Sequence, residues 1–102
     1  MARWTHQPQE RPGDYFFSGR GFIAAGVNRA LTPIEIARIA ALIRRAVREN
    51  NGLDYLQVFK CVDGHTVWAI DQLSQSMKKG GDYTPEQIKE YDYWTLLLPE
   101  EY

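Results

Sequence analysis

The stretch Leu53–Asp71, LDYLQVFKCVDGHTVWAID, alternates twice around an Asp-Gly pair, and few folds accept that pattern. Successive strand side chains point to opposite faces. Leu53, Tyr55, Gln57, Phe59 and Cys61 therefore project one way, and Leu56, Val58, Lys60 and Val62 the other. Asp63-Gly64 is a strong hairpin signal, because glycine enters the positive-φ region at no steric cost. The return strand, His65–Asp71, sets Val67, Ala69 and Asp71 against Trp68 and Ile70. Both faces are partly apolar. A sheet of this kind is expected to carry a helix on one side and something else on the other: an N-terminal strand, a tail or a second subunit.

The helix is signalled upstream by Thr32-Pro33-Ile34-Glu35. The Thr32 hydroxyl can accept the third-residue amide while Glu35 reaches back to the cap amide, and proline suits the first helical position. At 100° per residue, Ile36, Ile39, Ala40, Ile43, Ala46 and Val47 form one stripe, with Arg38, Arg45, Arg48 and Glu49 opposite. Asn50-Asn51-Gly52 supplies a left-handed stop. Ile34, Ala41 and Leu42 lie off the stripe, and a second apolar patch invites a neighbour. Further on, Leu73–Asp82 reads as a loop, Thr84-Pro85-Glu86-Gln87 opens a short second helix to about Tyr91, and Tyr93–Leu98 is a last strand stopped by Pro99.

The segments before the helix carry weaker signals. Residues 1–14, MARWTHQPQERPGD, lack periodicity and predict a mobile N-terminal arm, with Trp4 as an aromatic anchor for its own domain or a partner. Tyr15–Asn28 is strand-like but interrupted by Gly19, Gly21 and Gly26, which mark a bulge, a bend or a close approach. Residues 15–102 are thus expected to form one α+β domain. Its predicted form is a small antiparallel sheet of three or four strands, one main helix packed on it, and a short second helix.

At 102 residues and 44% hydrophobic composition, the chain is a single soluble-type domain. A net charge of -1 argues against direct DNA binding, which usually needs a basic domain. Cys61 is the single cysteine, which fits a reducing cytoplasmic compartment. No run approaches the ~20 apolar residues of a membrane span, and no signal-peptide pattern opens the chain, so no membrane partner is expected.

Four patches, Gly26–Leu31 (GVNRAL), Leu53–Cys61 (LDYLQVFKC), Val67–Asp71 (VWAID) and Thr95–Tyr102 (TLLLPEEY), resemble the small bacterial and phage proteins catalogued as domain of unknown function 960. The family's middle region is longer and rich in His, Gln and Glu; here the Asp63-Gly64 turn and Leu73–Asp82 stand in its place. The family offers no catalytic residues to carry over. The resemblance implies a protein of the bacterial cytoplasm, often from mobile elements and phages.

Catalytic constellations fail on residue counts. A metal site needs three or four converging ligands, whereas His6 sits in the expected arm and Cys61 and His65 flank a tight turn. Asp71, after an apolar strand, is the best general-base candidate, yet a strand-end aspartate commonly caps a turn. No enzyme and no cofactor are expected. A binding surface is better supported: Trp4, Tyr15, Phe16, Arg20, Asn28, Arg29, Tyr83, Tyr91 and Trp94 come from the arm, loops and strand ends. Aromatic faces stack bases, and arginine clamps phosphate or carboxylate. With the phage resemblance, the expected function is a non-enzymatic inhibitor of a bacterial defence system. It would act by direct contact with a host defence protein or by sequestering a small nucleotide signal, and as a homo-oligomer. The alternative is a housekeeping or structural protein without a ligand.

Overall fold

The computed structural model describes residues 3–102; the first two residues of the expected arm lie outside it. The fold is α+β: a five-stranded sheet with one long helix across one face. In chain order the elements are β1 (Trp4–His6), β2 (Arg20–Ile23), α1 (Ala25–Ala30), α2 (Pro33–Asn50), β3 (Leu56–Cys61), β4 (Thr66–Asp71), α3 (Gln75–Lys79), α4 (Pro85–Tyr91), β5 (Tyr93–Leu97) and a 3-10 turn, Pro99–Glu101. Strand order across the sheet is β1-β3-β4-β5-β2.

Three expectations are corrected. The sheet has five strands rather than three or four, and it is mixed, because β2 runs parallel to β5. The arm expected at residues 1–14 supplies the edge strand β1, antiparallel to β3 with Trp4 opposite Cys61. Local sequence gives no reason for order there; pairing with β3 and burial of Trp4 do. Within the expected loop at Leu73–Asp82, Ser74 accepts the Met77 amide and opens the single-turn helix α3. The short helix α4 forms as read, with Thr84 and Gln87 in a capping box.

Helix α2 matches its sequence signals closely. The Thr32 hydroxyl accepts the Glu35 amide at 3.2 Å and the Glu35 carboxylate accepts the Thr32 amide at 2.9 Å. Asn51 ends it in the left-handed region at φ 51. Its stripe buries Ile39, Ile43 and Ala46 against Phe59 on β3, Val67 and Ala69 on β4, and Leu96 on β5. The Trp4 indole donates to Glu35 at 2.9 Å, so the edge strand is tied to the first turn of α2. The pairing of Val58 with Trp68 and of Ile70 with Thr95 leaves their side chains, with those of Leu56 and Leu97, on the sheet face away from α2. The 3-10 turn and Tyr102, whose ring meets Trp68 at 5.8 Å, lie over part of that face, and Tyr15 and Tyr55 stand at its edge, so Leu97 is buried while Val58, Trp68 and Ile70 are half-buried.

Candidate functional site

Between the C-terminal half of α2 and the loop before β2 lies a groove of about 450 Å³. Phe16, Phe17, Ser18 and Gly19 form one wall, and Trp94 rises from β5. Ala40, Ile43 and Val47 line the helix side, with Arg44 and Arg48 at the rim. Its volume falls in the range of small-molecule sites, which run ~300–1,000 Å³. No acidic residue lines it. Arg44 and Arg48 are one turn apart on α2, both exposed, and neither has an acidic partner among the described residues. Arg45, by contrast, is spent on Glu49 at 2.7 Å. The groove therefore offers an apolar, aromatic interior beneath two uncompensated cations.

A departure from ordinary backbone geometry shapes this wall. Phe17 sits at φ 51, a conformation that crowds Cβ against backbone in any residue but glycine. Its amide donates to the Asp71 carboxylate at 2.9 Å, and its ring meets Trp94 edge-on at 6.3 Å. Asp71 is 2% exposed at the end of β4, and its second carboxylate oxygen has no hydrogen-bond partner among the described residues. Burial pushes its carboxyl above the usual carboxylate range, opposed first by the Phe17 amide and then by Lys78. Asp71 thus holds the loop that carries Phe16 and Phe17, in line with a turn-capping aspartate rather than a base facing substrate. The Trp94 indole donates to the Gly19 carbonyl at 3.2 Å, fixing its plane. Gly19 is required here: a Cβ would lie 2.1 Å from the Asp92 carbonyl oxygen.

The residues singled out from sequence do not converge on one site. Phe16 and Trp94 meet in the groove. Arg20 lines an adjoining hollow with Lys89 and Asp92, and its guanidinium donates to the Lys89 and Glu90 carbonyls at 3.3 and 3.1 Å, capping the end of α4. Tyr83 and Tyr91 flank a separate recess over Leu73. Tyr15 pairs with Leu53 and stands near Tyr55, at the opposite sheet face. Asn28 and Arg29 are exposed on α1, away from the groove. Of the two anchorages expected for Trp4, its own domain or a partner, the structure shows the first: it is 9% exposed, bonded to Glu35 and packed in the core, not exposed as a binding residue. Arg44 and Arg48 belong to the basic face of residues 29–48, which the sequence offers as a surface for phosphates or acids or as a solvated helix face, and they are not among the residues singled out. Their i, i+4 spacing was visible, but a solvated helix face shows the same spacing.

Elsewhere the polar chemistry is structural. Gln57, 1% exposed, meets His6 at 2.6 Å and donates to Gln9 and the Asp54 carbonyl. The His6 ring stacks on Phe59 at 4.8 Å. Asp63 accepts the His65 amide within the hairpin turn, and Lys78 meets Asp92 at 2.8 Å. Among the described residues no three His, Cys, Asp or Glu side chains are grouped to hold a metal ion, and no helix is long and apolar enough to cross a membrane.

Compared with known proteins, the chain matches no family model, no curated protein and no solved structure.

Proposed function

We propose that this chain is a non-enzymatic binding protein whose groove takes a nucleotide-type ligand, an anion bearing a flat ring. One observation carries the reading: Phe16 and Trp94 share a cavity with Arg44 and Arg48, which lack acidic partners among the described residues. A ring gains from aromatic contact and a phosphate from arginine, and a dry neighbour strengthens both interactions. In the setting implied by the phage-family resemblance, such a protein acts as an anti-defence inhibitor by sequestering a nucleotide signal. Of the surface expected for direct contact with a defence protein, the arm with Trp4, the arginine face of α2 and the loop at Leu73–Tyr83, Trp4 is buried and Arg44 and Arg48 border the groove, which supports sequestration over direct contact.

Native mass spectrometry followed by tryptophan-fluorescence titration with mononucleotides and cyclic dinucleotides tests the proposal. The expected result is saturable quenching, lost by about tenfold or more in Arg44→Glu/Arg48→Glu, since a hydrogen bond to a charged group is worth ~1.5–3 kcal/mol. Both residues are exposed, so the double variant should melt like the parent. Absence of any nucleotide response at millimolar concentration, or equal binding by the double variant, would sink the reading.

A further inference from the structure

The sheet face opposite α2 points to a second site, independent of the groove. We propose that a second copy of this chain docks there, sheet against sheet, about a two-fold axis passing near Trp68.

The face is apolar at its centre. Trp68 sits on β4, the middle strand of five, flanked by Val58 on β3 and Leu97 on β5, with Leu56, Ile70 and Phe22 in the next row. Alternation places only two charged side chains on this face of the strands, Lys60 and Arg20. They lie at opposite ends and opposite sides of it. Depletion of charge at the centre and aromatic anchors there mark the core of an interface. Phe22 is 46% exposed, with the Arg20 guanidinium 5.7 Å over its ring and Tyr93 edge-on at 5.2 Å.

Area decides what kind of contact this is. Five strands ~4.8 Å apart and about five residues long at ~3.3 Å each give a footprint of about 24 × 17 Å, or roughly 400 Å² in projection. Side chains standing off the plane, with Tyr55 and Tyr102 at the rim, raise the accessible area above that figure. A standard interface takes ~800 Å² per partner. The face therefore falls short of a standard interface and supports only a weak, exchanging dimer.

Charge selects the second copy and its orientation. A two-fold axis lying in the interface and perpendicular to the strands brings the start of each strand over its own end. The Lys60 end of β3 then meets Asp54 of the second copy, just before Leu56. Likewise Arg20, beside the start of β5, meets Glu100 of the second copy in the turn that follows β5. Lys60 finds an acid, Arg20 gains one beside the α4 carbonyls it already caps, and the apolar rows superpose. Sheets stacked in this way pack ~10 Å apart with strands inclined by ~30°. Arg44, Arg48 and the groove stay open on the outer side.

Sedimentation velocity of the full chain from about 1 µM to 1 mM tests the proposal. The expected result is a concentration-dependent shift from the 11.8 kDa chain to twice that mass. Val58→Lys, at a half-buried position on this face, should stay monomeric at every concentration while keeping the parent's circular dichroism at 1 µM. Lys60→Glu should weaken the dimer about tenfold, and adding Asp54→Lys in the same chain should restore it. A parent that is monomeric at 1 mM, or a Val58→Lys variant that associates like the parent, overturns the interface. Failure of Asp54→Lys to restore association overturns the two-fold arrangement. Since nucleotide response is read separately, loss of the dimer and loss of ligand binding are distinguishable.

Discussion

Asp71 offers the sharpest test of how the groove is built. Its carboxylate accepts the buried Phe17 amide at 2.9 Å, and Phe17 holds a left-handed conformation that costs an L-residue ~1–2 kcal/mol. Asp71→Ala removes the acceptor and strands that amide, at ~1–3 kcal/mol, and it empties a packed position besides. We expect a loss of about 2–4 kcal/mol. At ~4–8 °C per kcal/mol for a chain of this size, melting should fall by roughly 10 °C or more. Asp71→Asn keeps an acceptor for the amide and removes a buried charge, so it should cost under ~1 kcal/mol. The pH dependence adds a sign. Burial raises the folded-state carboxyl above its ordinary value of 3.8. The folded state therefore binds the proton more tightly, and this contribution is full below 3.8 and lost as pH rises through the folded value. Asp71→Asn lacks that loss, so its stability relative to the parent should rise as pH climbs above 3.8 through the folded value. Urea denaturation followed by tryptophan fluorescence at several pH values measures both effects. An alanine variant within ~0.5 kcal/mol of the parent would refute the role assigned to the carboxylate. So would an asparagine variant as unstable as alanine.

Other substitutions separate the remaining contacts. Gly19→Ala sets a Cβ 2.1 Å from the Asp92 carbonyl oxygen, a backbone atom that cannot swing aside. It should cost at least ~2 kcal/mol in urea denaturation, whereas a tolerant site would show none. Trp4→Phe keeps the packing but loses the bond to Glu35, so thermal melting should register about 1 kcal/mol. Glu35 is held below the usual carboxylate range, first by the Thr32 amide and then by the Trp4 indole. Its stabilising contribution is therefore present above 4.5 and lost as pH falls, and Trp4→Phe should reduce that acid sensitivity. Ile34→Lys, at a position 64% exposed, should stay within ~0.5 kcal/mol; a larger loss would mean that the second apolar patch of α2 has a partner.

What was legible in the sequence follows the range of the interactions involved. The capping box of α2, its left-handed stop and the Asp63-Gly64 hairpin are decided within a few residues, and all formed as read. Edge strand β1 was not legible, because three residues among prolines acquire order only by pairing with β3 more than fifty positions away. Trp4 and His6, which alternate with Thr5 and face Phe59 and Cys61, were the available signal. The parallel pairing of β2 with β5 joins still more distant segments, and nothing in RGFI announces its direction. In the groove, Phe16 and Trp94 stood out as aromatics at element ends. Arg44 and Arg48 became site residues only when the loop came to rest against α2.

The least legible residue is also the one that makes the groove possible. Two consecutive phenylalanines in an extended strand would point to opposite faces, and only one of them could reach α2. At Phe17 the left-handed turn redirects the chain, so Phe17 enters the core against Trp94 while Phe16 still lines the groove beside it. Strain of this kind persists only where the surroundings over-determine it. Here the surroundings are Asp71, the Trp94 indole on Gly19 and the tight approach of Gly19 to Asp92. Stability and binding should therefore be coupled through Asp71 and uncoupled at the arginines. Asp71→Ala should lose both the melting temperature and the nucleotide response, and Asp71→Asn should keep both. Arg44→Glu/Arg48→Glu should lose the response alone. A nucleotide response that survives in Asp71→Ala at a temperature where the variant is folded would show that the loop is held by other contacts.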